Sequence, residues 1–337
     1  MDREEIVTAF RNVLDELKIA HKADASIRPG SIVITFGMKC GGEMDRVWGL
    51  FEFKGTGVRF YGVAPELAEA KNLPETFRLL AMVNRDMSAG CFEFETACRQ
   101  IRFRHFADCL GFATVPRDFV LDTLLLPFKM FARYGDSFVA LDEGFPEASI
   151  AFGTARKGDE DYPPSERDSD TLGSPAMDQE AISSAVKRYL DAAHVQYATE
   201  STPDGTTFFC PKLRIENSLE SVSQTIKTWG THMAIYAHCP VKAAPEHVAE
   251  TAKFLALANY GLILGNFDLD VDTGAIHYRH FFDCGGFEEL SEETLCRVCP
   301  IPYVMLLQYG DAIADVATGR SDAETALAQA KKNPNIS

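Results

Sequence analysis

The residues with most chemistry to offer stand in a hexad that occurs twice: Arg104-His105-Phe106-Ala107-Asp108-Cys109 and Arg279-His280-Phe281-Phe282-Asp283-Cys284. A cysteine, a histidine and an aspartate in one place could form an activated thiolate with its base and its orienting group. Neighbours on an extended strand point to opposite faces, however. His105 and Asp108 are three apart, so their side chains diverge unless the chain turns. Ile101, Phe103 and His105 share parity, which puts the histidine on the apolar face at the rim of a core. The structural reading outweighs the catalytic one, and no catalytic residue is assigned. Asp108 and Gly111 are expected to shape the exit from the sheet, because an aspartate can accept from backbone amides of its own turn.

Other motifs also have bland readings. Cys296-Arg-Val-Cys299 lacks the second cysteine pair of a zinc site and a βαβ redox context; small apolar fillers of a helix explain it. Asp268, Asp270 and Asp272 evoke a calcium loop, but its glycine is Gly274, one place late, and Arg279 stands where a bidentate glutamate is required. Alternating acids on the wet face of a strand explain that run. Gly55, Gly57 and Gly62 break the dinucleotide spacing and join two strands. The sequence therefore implies no metal and no cofactor.

Two sets remain. Asn84 and Asn259 fall on the buried face of a helix beside a glycine-led strand, where a buried amide must find backbone partners. Arg104 and Arg279 are expected on an outer strand face with Arg102 and His277. If the hairpin turn is centred between residues 97 and 98, Glu93 faces Arg102, and Asp268 faces His277. Such pairs stabilise a sheet by roughly 0.2–1 kcal/mol. Arginines repeated on a face away from the core could also contact a partner, so Arg102, Arg104, His277 and Arg279 are the candidate protein-binding residues.

These residues sit in a tandem duplication. Residues 84–112 and 259–287 align without a gap at an offset of 175 and agree at 11 of 29 positions. The identities are Asn84/Asn259, Gly90/Gly265, Phe92/Phe267, Ile101/Ile276, Arg104/Arg279, His105/His280, Phe106/Phe281, Asp108/Asp283, Cys109/Cys284, Gly111/Gly286 and Phe112/Phe287. Periodicity predicts a helix over 3–19 and strands over 32–36, 47–54 and 58–63. A helix from Pro74 to about Met87 follows, then a hairpin of 91–95 with 99–106. Pro116 opens a helical region to about Asp142 that Pro127 should kink or divide. Residues 153–176, with six acids and three prolines, read as a flexible linker. The second copy repeats the order: a helix over 180–193, strands near 206–211, 222–228 and 231–238, then a helix from Pro245 that carries Asn259. Its own hairpin and final helices complete it. Ser321 to Glu324 looks like a capping box before a short alanine-rich helix. The expected class is α+β, with two α-β-β-β-α-β-β-α units, each an antiparallel sheet packed with helices. The boundaries are 1–152, 153–176, 177–320 and 321–337.

The chain has 337 residues, 33 basic against 49 acidic, and a net charge of −16. That opposes binding to nucleic acid or to anionic membranes. No run approaches 18 apolar residues. The charged first residues lack an apolar signal core, and the nine cysteines read as reduced, buried thiols. A cytoplasmic location is expected.

A helix ending in asparagine, then Gly-x-Phe-x-hydrophobic, a turn, Ile-x-aromatic-Arg and a closing helix resembles the YbjN family. Asn84, Gly90, Phe92 and Arg104 carry the likeness in the first copy, and Asn259, Gly265, Phe267 and Arg279 in the second. The resemblance spans residues 4–142 and 180–317. It implies the fold of type III secretion chaperones, a regulatory role without established catalytic residues, and binding of extended peptides. Two units in one chain could form an internal pseudo-dimer, with a further homodimer possible. The expected function is a non-catalytic protein-interaction module. The alternatives are a cysteine-dependent enzyme using Cys109 or Cys284, and a small-molecule sensor with a pocket between the units.

Overall fold

The computed structural model describes residues 1–27, 29–41, 44–63, 72–112, 114–153, 155, 177–285 and 287–332. The fold is mixed α+β. Contacts divide the chain into two compact units, Met1–Leu79 with Met87–Pro164, and Leu80–Asp86 with Ser165–Ser337. The predicted linker lies outside the described residues, apart from Gly153 and Ala155.

In the first copy, α1 (Arg3–Glu16) starts at a capping box in which Asp2 and Glu5 accept each other's amide protons. These are otherwise orphan donors of the first turn. Strands β1 (His21–Asp24), β2 (Ile32–Gly41), β3 (Met44–Lys54) and β4 (Gly57–Val63) precede α2 (Leu73–Asp86). β5 (Cys91–Glu95), β6 (Gln100–Asp108), α3 (Arg117–Asp142) and α4 (Ala148–Phe152) follow. The antiparallel sheet runs β1-β2-β3-β4-β6-β5, and α3 packs across β2, β3, β4 and β6. Between them lies an aromatic core. Phe51 is 4.9 Å from Phe10 and 5.0 Å from Phe60, edge to face, the arrangement that ring quadrupoles favour. Phe92 meets Phe103, Phe131 and Phe138 at 5.1–5.2 Å.

The second copy comprises α5 (Gln179–Ala192), β7 (Tyr197–Ser201), β8 (Thr207–Arg214), β9 (Ser221–Trp229), β10 (His232–His238), α6 (Val248–Asn259), β11 (Asn266–Leu269), β12 (Ile276–Asp283), α7 (Glu292–Val298), α8 (Ile301–Ala317) and α9 (Ala323–Ala330). Its sheet order, β7-β8-β9-β10-β12-β11, matches the first strand for strand. Phe267 takes the place of Phe92, 4.9 Å from Tyr278 and 5.4 Å from Tyr309. Local geometry repeats too. Lys18 and His194 both adopt positive φ after the first helix of their copy, and Gly55 and Gly230 do so in the matching hairpin turns.

Each copy has four strands before its middle helix, where three were expected. The additional strands, His-Lys-Ala-Asp and Tyr-Ala-Thr-Glu-Ser, lie at sheet edges with largely exposed side chains. They carry no apolar alternation, and the neighbouring strand supplies their ladder. Pro127 does not divide α3, which is continuous through it. Its counterpart Pro302 stands in the first turn of α8, after the break that follows α7. The cap of α9 is Asp322, which accepts from the Thr325 amide at 2.9 Å, in place of Ser321. Pro245 opens a short 3-10 turn ahead of α6.

Candidate functional site

The β5–β6 register sets Glu93 opposite Arg102 and Cys91 opposite Arg104. Glu93 is fully buried and Arg104 only 3% exposed. The carboxylate accepts Arg102 Nε at 2.6 Å on one oxygen and Arg104 Nε at 3.0 Å on the other. Arg104 Nη2 also reaches Cys91 Sγ at 3.2 Å, and the Arg102 guanidinium lies 4.7 Å over the Tyr61 ring. One carboxylate thus serves two guanidiniums with charge-assisted bonds. In the second copy Asp268 stands opposite His277, 3.3 Å away. Arg279, also 3% exposed, donates to Asn266 Oδ1 at 3.3 Å. The His238 ring stands edge-on to His277 at 4.8 Å and its Nε2 lies 2.8 Å from Thr225 Oγ1. Burial, and then the charge of His277, lower its pKa.

The expectation that Arg104 and Arg279 lie on a wet surface is overturned. Residues 91–94 and 266–269 are buried on both strand faces, so parity alone misjudges the outer one. In the first copy that face can be buried because Glu93 pairs with both arginines.

Buried histidine and thiol have the wrong ionisation for nucleophilic catalysis. His105 and His280 are 8% and 5% exposed, and burial pushes His280 down to about 4. The Cys109 thiol is pushed up to about 12, first by burial and then by Asp108. Cys284 goes well above its ordinary value for the same first cause. An activated thiol needs the opposite shift.

The remaining repeated residues hold the backbone. Asn259 accepts from Phe267 N at 2.7 Å and donates to Phe267 O at 2.8 Å, which ties α6 to β11. Asn84 is 2% exposed at the matching place. Gly90 and Gly265 have φ of +69° and +56°. A Cβ at Gly265 would collide with the Arg279 carbonyl and, at 2.6 Å, with Tyr278 Oη. Asp108 accepts from Leu110 N and Thr56 Oγ1, both at 2.9 Å; Asp283 accepts from Gly285 N at 2.8 Å. These aspartates close the turn after the strand. Asp270 does the same for its loop, accepting from Asp272 N and Thr273 N. Among the described residues no group of three or more histidines, cysteines and acids could hold a metal ion.

The cysteines correct another expectation. Cys98, Cys210 and Cys296 are exposed, whereas Cys91, Cys109, Cys239, Cys284 and Cys299 are buried. Of the CxxC pair only Cys299 fills core, because α7 turns Cys296 towards solvent.

Two features escape the sequence reading. Trp48 is 49% exposed, with the Arg46 guanidinium 5.6 Å from its ring and Gly37 opposite it on β2. β1 covers β2 only from Val33 to Phe36. Residues 37–39 pair with β3 alone, so among the described residues their other ladder side is open. The second feature is a cavity of about 270 Å³ inside the second unit, between α5, β8, β9 and the start of α8. Exposed tryptophan is a sequence-visible signal only when its strand parity is known. The cavity left no sequence signal short of comparing the two copies position by position. Compared with protein-family models, curated proteins and solved structures, the chain matches none significantly.

Proposed function

We propose that this chain is a non-catalytic, cytoplasmic protein-interaction module built from a duplicated YbjN-like unit, and that it takes up an extended peptide segment. The observation that carries this reading is the open ladder of residues 37–39 beside exposed Trp48. A strand edge offers backbone donors and acceptors to an incoming peptide. Strand addition draws affinity from those main-chain bonds and specificity from neighbouring side chains. Tryptophan with a stacked arginine is the composition of interface hot spots. The raised pKa of the buried thiols favours this reading over a cysteine-dependent enzyme. The Arg102–Glu93–Arg104 cluster supports stability, and the proposed interaction surface is Trp48 with the open edge of β2 in place of those arginines.

The test is a peptide-display selection against the full chain, followed by hydrogen exchange of the complex. Selected peptides are expected to protect the amides of residues 37–39. Trp48→Ala is expected to weaken them at least about tenfold, the size of a hot-spot truncation. Failure to select any peptide, or protection confined to another surface, would overturn the reading.

A further inference from the structure

The cavity in the second unit has a filled counterpart in the first. At the offset of 175, Pro211 corresponds to Phe36 and Gln224 to Gly49. In the first copy Phe36 pairs with Gly49 across the strands. Its ring lies over the glycine so closely that a Cβ there would meet it at 2.6 Å, and it packs on Phe51 at 5.3 Å and Phe128 at 6.1 Å. In the second copy a short proline faces a glutamine, between the pairs Phe209/Ile226 and Lys212/Ser223. The ring is gone, and a space of about 270 Å³ stands in its place.

The walls differ in character. Leu190, Pro211 and Ile226 are apolar, and three polar groups converge on the same space. Gln224 is 4% exposed; its Nε2 donates to Cys299 O at 3.0 Å, and its Oε1 has no hydrogen bond to any described residue. Tyr189 is half-buried, and its hydroxyl likewise has no partner among the described residues. Burial, then the Cys299 and Cys296 thiols, push its phenol up to about 12, so it keeps its proton. Arg214 is exposed at the mouth. Acids outnumber bases in this chain, yet Arg214 has no ion pair among the described residues. A dry apolar cavity of roughly 150 Å³ already holds benzene, so this one fits a body somewhat larger than a single ring. Small-ligand sites combine apolar walls with a few placed polar groups.

We propose that the cavity binds a small aromatic carboxylic acid. Its ring system lies against Leu190, Pro211 and Ile226. Its carboxylate meets Arg214, and Tyr189 and Gln224 serve as hydrogen-bond donor and acceptor. This site is separate from the open strand of the first unit, so either can stand without the other.

The experiment is calorimetric titration of the full chain with benzoate, 2-naphthoate and 4-phenylbutyrate, and with neutral 2-naphthylmethanol. At least one acid is expected to bind once per chain, tighter than about 1 mM. Pro211→Phe, which puts a ring into the space, is expected to abolish binding. Arg214→Gln is expected to weaken the acid about tenfold, the scale of one charge-assisted contact, and to leave the neutral alcohol unchanged. Should Pro211→Phe not fold, Ile226→Trp fills the same space from β9. No acid binding, or binding undiminished in a folded filled variant, would overturn the proposal. So would tighter binding of the alcohol than of 2-naphthoate, which would make the occupant an uncharged group such as a partner's side chain.

Discussion

Glu93 shows how one residue turns a strand's outer face into interior. It is fully buried and its two oxygens divide between Arg102 and Arg104. Removing one member of a buried ion cluster leaves uncompensated charge, which costs about 3–5 kcal/mol. Glu93→Gln is therefore expected to lower stability by about 3 kcal/mol in urea unfolding. A loss within experimental error would mean that water, not Glu93, compensates the two arginines. His280 bears on pH in a fixed direction. Its folded pKa, about 4, lies below its ordinary value of 6.5, so the unfolded chain takes up the proton first as pH falls. The side chain leaves stability unaffected above 6.5. Stability then declines between 6.5 and about 4, by about 3 kcal/mol in all. His280→Gln is expected to flatten the slope of stability against pH over that interval. An unchanged slope would show that the ring is not buried neutral.

At the scale of elements, the junction of α6 with β11 depends on an asparagine and a glycine. Asn259→Leu orphans the amide of Phe267 and leaves its carbonyl only the 3.3 Å bond from Asn266 Nδ2, and a buried orphan costs about 1–3 kcal/mol. The expected loss is about 2 kcal/mol. Gly265→Ala combines positive φ with a collision against the Arg279 carbonyl, whereas Gly55→Ala meets positive φ with nothing within 4 Å. The first is expected to cost at least about 2 kcal/mol and the second about 1 kcal/mol. Chemical denaturation of both separates strain from collision, and equal losses would remove the collision from the account. The edge strands β1 and β7 illustrate the reverse dependence. Their own side chains specify little, and they are strands because β2 and β8 present a ladder.

At the scale of the whole chain, the eight cysteines whose burial is described divide into two kinetic classes. Cys98, Cys210 and Cys296 are expected to react at once with a thiol reagent in the native protein. Cys91, Cys109, Cys239, Cys284 and Cys299 should wait for unfolding. Mass mapping of the labelled sites checks this, and prompt labelling of Cys109 or Cys284 would reopen thiol chemistry. The repeat of 84–112 in 259–287, the helices α1, α2, α5 and α6, the β5–β6 register and the turn-closing Asp108 were legible in the sequence. Each rests on spacing between near neighbours, which the chain itself carries. The exposure of Trp48 and the burial of Arg104 and Arg279 were not legible. Nor was the empty space beside Pro211. Each depends on what distant segments bring, or fail to bring, against a strand face. The sequence by itself determined a duplicated chain of α+β class, because periodicity and duplication are properties of the chain. Only the tertiary structure decided which copy is filled and which is open. That outcome turns on whether a ring at position 36 or a proline at position 211 meets the strand opposite, and a volume is a property of both walls together.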